Sequence, residues 1–263
     1  MTRRPAALAA AAMAFACKAG SARPANEAPR AVPISPVEIV AVRPHDPGAF
    51  TQGLVWANGR LFESVGRYGR SELREVDPES GEVVRHVRLP HGEFGEGLAV
   101  VGDRLLQLTW QEGRLHVWNR RDFAPIAILD YAGEGWGLAW DGSRLVQSDG
   151  SAVLRFRDPA TFRELSRLRV TRDGLPVAYL NELEWAEGWL YANVWQSDEI
   201  VRIDPASGKV AEVFDASNLL TDAERAGADV LNGIAWDPKR KLFLITGKLW
   251  PKLFEVRLGA PLR

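Results

Sequence analysis

The sequence predicts an all-β fold: a five-bladed β-propeller closed by an N-terminal strand that completes the last blade. Three observations predict it. First, a short phrase built on x-Gly-Leu returns five times, as Gln52-Gly53-Leu54-Val55-Trp56, Glu96-Gly97-Leu98-Ala99-Val100 and Trp136-Gly137-Leu138-Ala139-Trp140, then more loosely as Asn181-Glu182-Leu183-Glu184-Trp185 and Asn232-Gly233-Ile234-Ala235-Trp236. Aligned on Leu54, Leu98, Leu138, Leu183 and Ile234, the copies recur every ~40–50 residues, the period of a propeller blade. Second, the complete repeats carry four short strand signals separated by turn residues. Third, the last repeat lacks its fourth strand, while a spare strand signal stands ahead of the first.

The strands can be placed in order. The first repeat reads Gly53–Trp56, Arg60–Val65, Glu72–Val76 and Glu82–Leu89, with Asn58-Gly59 and Ser80-Gly81 in the gaps, where positive φ is cheap. The second reads Gly97–Val100, Arg104–Trp110, Arg114–Asn119 and Pro125–Tyr131. The third reads Gly137–Trp140, Arg144–Ser148, Val153–Arg157 and Glu164–Val170, turning first at Asp141-Gly142. Glu182–Trp185, Trp189–Val194, Glu199–Ile203 and Val210–Phe214 form the fourth. The fifth has only Gly233–Trp236, Lys241–Thr246 and Leu253–Leu258, so Val37–Val42 is expected to supply the missing strand and close the ring. The segment Ala216–Asp229 reads as a helical surface loop, and Asp77, Asp158 and Asp204 read as turn residues.

Composition narrows the function classes. The chain has 263 residues, a formal net charge of −1 and no basic stripe, which argues against nucleic acid as a partner. Its N-terminus reads as an export signal: Met1-Thr2-Arg3-Arg4 is basic, Ala6 to Ala16 is apolar but too short to span a bilayer, and Ala14-Phe15-Ala16 suits cleavage before Cys17. Residues 1–17 are thus expected to be a signal peptide, 18–35 a flexible tether rich in Ala, Pro, Arg and Ser, and 36–263 the propeller. Cys17 is the only cysteine, so the folded part holds no disulfide; its position suggests a bacterial lipoprotein signal, with an ordinary cleaved signal as the alternative. The expectation is an exported, periplasmic or lipid-anchored monomer, touching a membrane only through Cys17.

One position of the repeat concentrates the chemistry. Inner strands of a propeller line its central channel and loops at one end form the binding surface. Two residues before each aligned residue stand Gln52, Glu96, Trp136, Asn181 and Asn232. For the two asparagines, capping at a strand entry explains them equally well. Glu96 is different: it lies between two glycines, and burial at a channel mouth raises a carboxyl toward acid/base range. Phe50 and Phe94 each precede a ring residue by two, so strand alternation places them on the ring side. Trp110 and Trp195 fall at equivalent ends of their second strands, and Lys248 lies one step beyond the matching place in the fifth repeat. The four histidines show no metal-ligand spacing, and no nucleophile elbow, P-loop or dinucleotide fingerprint is present.

Eight ordered motifs now carry a resemblance. They are Phe50-Thr51-Gln52-Gly53-Leu54, Phe94-Gly95-Glu96-Gly97, Leu108-Thr109-Trp110, Gly135-Trp136-Gly137-Leu138, Leu180-Asn181-Glu182-Leu183-Glu184, Asn193-Val194-Trp195, Leu231-Asn232-Gly233-Ile234-Ala235 and Ile245-Thr246-Gly247-Lys248, the last followed by Trp250-Pro251. From Val37 to Leu258 the chain resembles the plant- and bacterial-type glutaminyl cyclases. The resemblance implies a five-bladed propeller that cyclises N-terminal glutamine of peptides and proteins to pyroglutamate with release of ammonia, with no metal or other cofactor. It makes Glu96 the catalytic acid/base. Trp110, Trp136 and Trp195 would wall in the glutamine side chain, Gln52, Asn181 and Lys248 would donate hydrogen bonds, and Phe50 and Phe94 would exclude water. Two other readings stand beside it: a non-catalytic exported propeller binding peptide or sugar at the same mouth, and a metal-dependent lyase or lactonase, for which one carboxylate in the ring is a thin ligand set.

Overall fold

A computed structural model describes Met1, Thr2 and residues 31–259 of the chain. The expected signal segment with Cys17, and the tether up to residue 30, lie outside the described residues. Five antiparallel sheets follow one another. Blade one holds Thr51–Ala57, Arg60–Val65, Glu72–Val76 and Val83–Arg88. Blade two holds Gly95–Val101, Arg104–Thr109, Arg114–Asn119 and Pro125–Asp130, and blade three Leu138–Trp140, Leu145–Gln147, Val153–Arg157 and Glu164–Arg169. Blade four holds Leu180–Ala186, Trp189–Val194, Glu199–Ile203 and Val210–Asp215. Blade five holds Leu231–Asp237, Leu242–Gly247 and Lys252–Arg257, and its outer strand is Glu38–Pro44, paired antiparallel with Lys252–Arg257. The ring therefore closes with the strand borrowed from the N-terminus.

Two features depart from the sequence reading. The tether does not extend to residue 35, because Ile34–Pro36 pairs in parallel with Val213–Asp215 and adds a fifth strand to blade four. Its short apolar edge covers the otherwise open outer strand of that blade. Between blades three and four a small hairpin, Thr171–Arg172 with Leu175–Pro176, extends the connection. The loop after blade four does turn helical, over Asp222–Arg225, with a capping box between Thr221 and Glu224. Asp77, Asp158 and Asp204 each accept backbone N–H groups of their own turns, as turn residues do.

The aligned apolar residues explain the period. Each packs on the preceding blade, and the buried core divides into five clusters, one per interface. Leu98 joins Phe62 and Leu73 of blade one, Leu138 joins Leu106 of blade two, and Leu183 joins Val146 of blade three. Ile234 joins Tyr191 and Ile200 of blade four, and Leu54 joins Ala235 and Leu244 of blade five. A blade cannot bury both of its faces alone, so every repeat needs its neighbours.

The residue just before each aligned position sets how tightly the blades meet at the axis. A methyl group on Gly53 would lie 2.6 Å from Leu98 N, on Gly97 2.5 Å from Leu138 N, and on Gly137 2.0 Å from Asn181 O. Only glycine allows backbone to approach backbone so closely. Blade four has Glu182 there instead. Its fully buried carboxyl crosses the axis, accepting from Ile234 N at 2.8 Å and Leu54 N at 3.3 Å. This layer divides the channel into two cups, one opening at each end.

Candidate active site

The ring residues owe their aim to an irregularity in the strand. Inner-strand pairing shifts register at Thr51/Gly53, Gly95/Leu98, Leu180/Leu183 and Leu231/Ile234, so an extra residue is accommodated at Gln52, Glu96, Asn181 and Asn232. A bulge of this kind turns a side chain out of the pleat. Simple alternation, the basis on which Phe50 and Phe94 were expected to share the ring side, does not run through these positions. Both aromatics reach the mouth by another route. Pairing continues one step past the strands, with Gly66 N bonded to Phe50 O, Trp110 N to Phe94 O and Trp195 N to Tyr179 O at 2.8–2.9 Å. Residue 66, the counterpart of Trp110 and Trp195, is a glycine because Phe94 fills its side-chain space: an added methyl would lie 2.2 Å from the Phe94 ring.

Nine of the ten residues singled out in the sequence line one cavity of about 330 Å³: Phe50, Gln52, Phe94, Glu96, Trp110, Trp136, Asn181, Trp195 and Lys248, joined by Asp229 and without Asn232. Its walls are two runs of edge-to-face or tilted aromatics. Phe50, Phe94 and Trp110 are linked at 6.2 and 5.7 Å, with Tyr68 at 5.3 Å from Phe94. Opposite them, Trp136 and Trp195 stand 5.6 Å apart, with Tyr179 5.8 Å from Trp195. The polar groups sit at the base. Gln52 Nε2 donates to Glu96 Oε1 at 3.0 Å, and Asn232 Nδ2 donates to Gln52 Oε1 at 3.3 Å and to Thr51 O at 3.0 Å. Asn232 therefore holds Gln52 and does not line the cavity. Asn181 is buried with its Oδ1 unpaired, and the Lys248 ammonium lies 5.0 Å over the Phe50 ring, with no carboxylate in salt-bridge contact among the described residues.

Such a cup suits a short, flexible amide chain folded upon itself: apolar walls, a carboxyl at the base, and an amide and an ammonium facing it. The glutamine cyclotransferase family model matches residues 8–258. The chain belongs to the glutamine cyclotransferase family. Among its relatives, a glutaminyl-peptide cyclotransferase of Arabidopsis thaliana is 43% identical over 230 residues, covering 86% of this chain and 72% of that protein. The crystal structure of Myxococcus xanthus glutaminyl cyclase superposes with a TM-score of 0.81 at 44% identity, over 88% of this chain and 99% of that one.

In this cyclotransferase the electrostatics of the cup centre on Glu96. Burial pushes its carboxyl well above the ordinary carboxylate range; the Lys248 ammonium opposes the rise, and the charges of Glu134 and Glu112 add to it. Burial likewise lowers Lys248, against the pull of Glu96 and Asp229. An acid and a base with pKa values displaced toward each other are the expected equipment of proton-transfer chemistry. Among the described residues, no group of three or more His, Cys, Asp or Glu is placed to hold a metal ion.

The sequence reading missed the residue that fixes the walls. Glu134 Oε2 accepts the indole N–H of Trp110 and of Trp136, both at 2.9 Å, while its Oε1 accepts from Gln111 Nε2 at 3.0 Å. Partial burial raises its carboxyl, but these donors outweigh that and hold it below the usual value, so the group stays ionised. One carboxylate thus joins the two aromatic runs across blades two and three. The signal was available: Gly133-Glu134-Gly135 repeats the Gly95-Glu96-Gly97 pattern that marked the catalytic candidate.

Proposed function

We propose that the protein converts N-terminal glutamine of peptides and proteins to pyroglutamate, releasing ammonia, with Glu96 as the single acid/base. The observation that carries this reading is the desolvated Glu96 carboxyl, fixed by Gln52 at the base of a cup whose only other ionisable lining groups are Lys248 and Asp229. The substrate's neutral α-amine attacks the carbon of its own side-chain amide. Glu96, as carboxylate, takes the proton that the attacking nitrogen sheds and returns it to the departing amide nitrogen, which leaves as ammonia. Proton count is unchanged over the cycle, so one carboxyl suffices. Because the attack is intramolecular, holding the chain folded supplies much of the acceleration. Trp110, Trp136 and Trp195 give the folded side chain its walls. Lys248, Asn181 and the second Nε2 hydrogen of Gln52 are the donors available to the oxygen that becomes negative as the ring closes.

The test is direct. Incubating the purified protein with a Gln-initiated peptide should release ammonia and lower the peptide mass accordingly, with or without a chelator. Glu96→Gln should reduce kcat by ~10²–10⁴-fold, the usual scale of acid–base catalysis, while peptide binding persists. A Glu96→Gln protein that cyclises at the parent rate removes the assignment.

We also propose export, from the basic and apolar N-terminal segment ahead of Cys17, and function as a monomer. Mass spectrometry of the mature N-terminus separates lipidation at Cys17 from plain cleavage, and light scattering reads the oligomeric state.

A further inference from the structure

The second cup has its own chemistry. Two residues beyond each aligned position stand Trp56, Val100, Trp140, Trp185 and Trp236, so four of the five blades put an indole at the channel end away from Glu96. All five residues line one cavity of about 820 Å³, larger than the catalytic cup. Each indole packs against its own interblade core, yet each stays partly exposed. Sealing that end of the interface does not require tryptophan, since blade two does so with Val100.

Glu184 lines the same cavity. Its Oε1 accepts from Trp185 N at 2.8 Å and its Oε2 from Trp236 N at 3.1 Å. Among the described residues no cationic side chain lies within salt-bridge distance of it: of the basic groups at this mouth, Arg240 is paired with Glu255, Arg120 with Asp103, and Lys239 stands exposed at the rim. The other acid of the lining, Asp237, accepts the Lys239 and Arg240 backbone N–H groups of its own turn. Burial holds the Glu184 carboxyl up at about 8, opposed only by the two backbone donors. The mouth therefore combines four partly open indoles with a half-buried acid that has no cationic side chain in salt-bridge contact among the described residues.

We propose that this mouth is a second ligand site, and that it takes a small organic cation bearing an alkylated ammonium group, with the Glu184 carboxylate as counter-ion and the indoles as walls. Alkylammonium groups are drawn to indole faces, most strongly where water is excluded. A neutral apolar ligand would bury Glu184 further without satisfying it, and an anion would be repelled by it. The glycine layer and the Glu182 carboxyl lie between this site and Glu96, so occupancy is independent of the cyclisation chemistry.

The experiment titrates choline chloride into the purified protein by calorimetry above pH 8, where Glu184 is ionised, alongside the neutral isostere in which carbon replaces the quaternary nitrogen. Choline should bind at one site, and the isostere about tenfold or more weakly. Glu184→Gln should weaken choline by a similar factor, with cyclisation of a Gln-initiated peptide unchanged and uninhibited by choline. Should Glu184→Gln fail to fold, Trp140→Leu replaces it, with the same loss expected. The proposal is overturned by absence of choline binding, by equal binding of choline and isostere, or by affinity that neither substitution lowers. Displacement of choline by a Gln-initiated peptide would also overturn it, as would binding of a methyl glycoside where choline fails.

Discussion

At the scale of the residue, Glu96 is tuned from two sides. Burial raises its pKa most; Lys248 opposes that rise and Glu134 adds to it. In the proposed mechanism the reactive form has Glu96 ionised, so kcat/KM should rise with pH through its raised pKa. Removing the cation in Lys248→Ala should move that ascending limb to higher pH. Neutralising the distant carboxylate in Glu134→Gln should move it to lower pH. The substrate amine titrates identically in both, so the opposite displacements report Glu96. Lys248→Ala should also cost about 10²–10³-fold in kcat if its ammonium faces the developing oxyanion. Glu134→Gln acts mainly on the walls: weakening one charge-assisted hydrogen bond by roughly 1.5 kcal/mol should raise KM about tenfold while kcat changes less. Initial-rate profiles of the two variants against pH test all of this.

At the scale of the element, bulges and glycines matter more than the regular strand. Four inner strands spend an extra residue where Gln52, Glu96, Asn181 and Asn232 leave the pleat. Beside the bulges at Gln52 and Glu96, Gly53 and Gly97 press backbone on the adjoining blade, and the unbulged strand of blade three does so most closely at Gly137, where no space exists for a methyl group. Gly137→Ala should therefore separate blades three and four and lower stability by about 1–3 kcal/mol or more, read as a fall in melting temperature, although alanine suits a strand better in the abstract. Unchanged melting would show that the axis can yield. Recurrence made the ring positions legible in the sequence, because each repeat supplied the frame for the next. The bulges themselves were not legible, since an extra residue shows only against the strand it fails to pair with.

At the scale of the whole molecule, closure is the main device. Glu38–Pro44, which precedes blade one in the chain, pairs with the last strand, Lys252–Arg257, and gives blade five its fourth strand. A chain beginning at Ala31 should keep a single cooperative melting transition and its cyclase activity. A chain beginning at Asp46 lacks the closing strand and should lose both, as circular dichroism and ammonia release will show. Retained melting in the shorter chain would refute ring closure as the source of stability. The sequence by itself determined the five blades, the borrowed strand and nine of the ten residues that line the Glu96 cup, because period and turn chemistry are written locally. Only the tertiary structure decided that Glu134 carries two indoles, that Glu182 crosses the axis and that a second cup surrounds Glu184. Those contacts join side chains whose separation depends on how closely glycine lets the blades approach, which no spacing along the chain records.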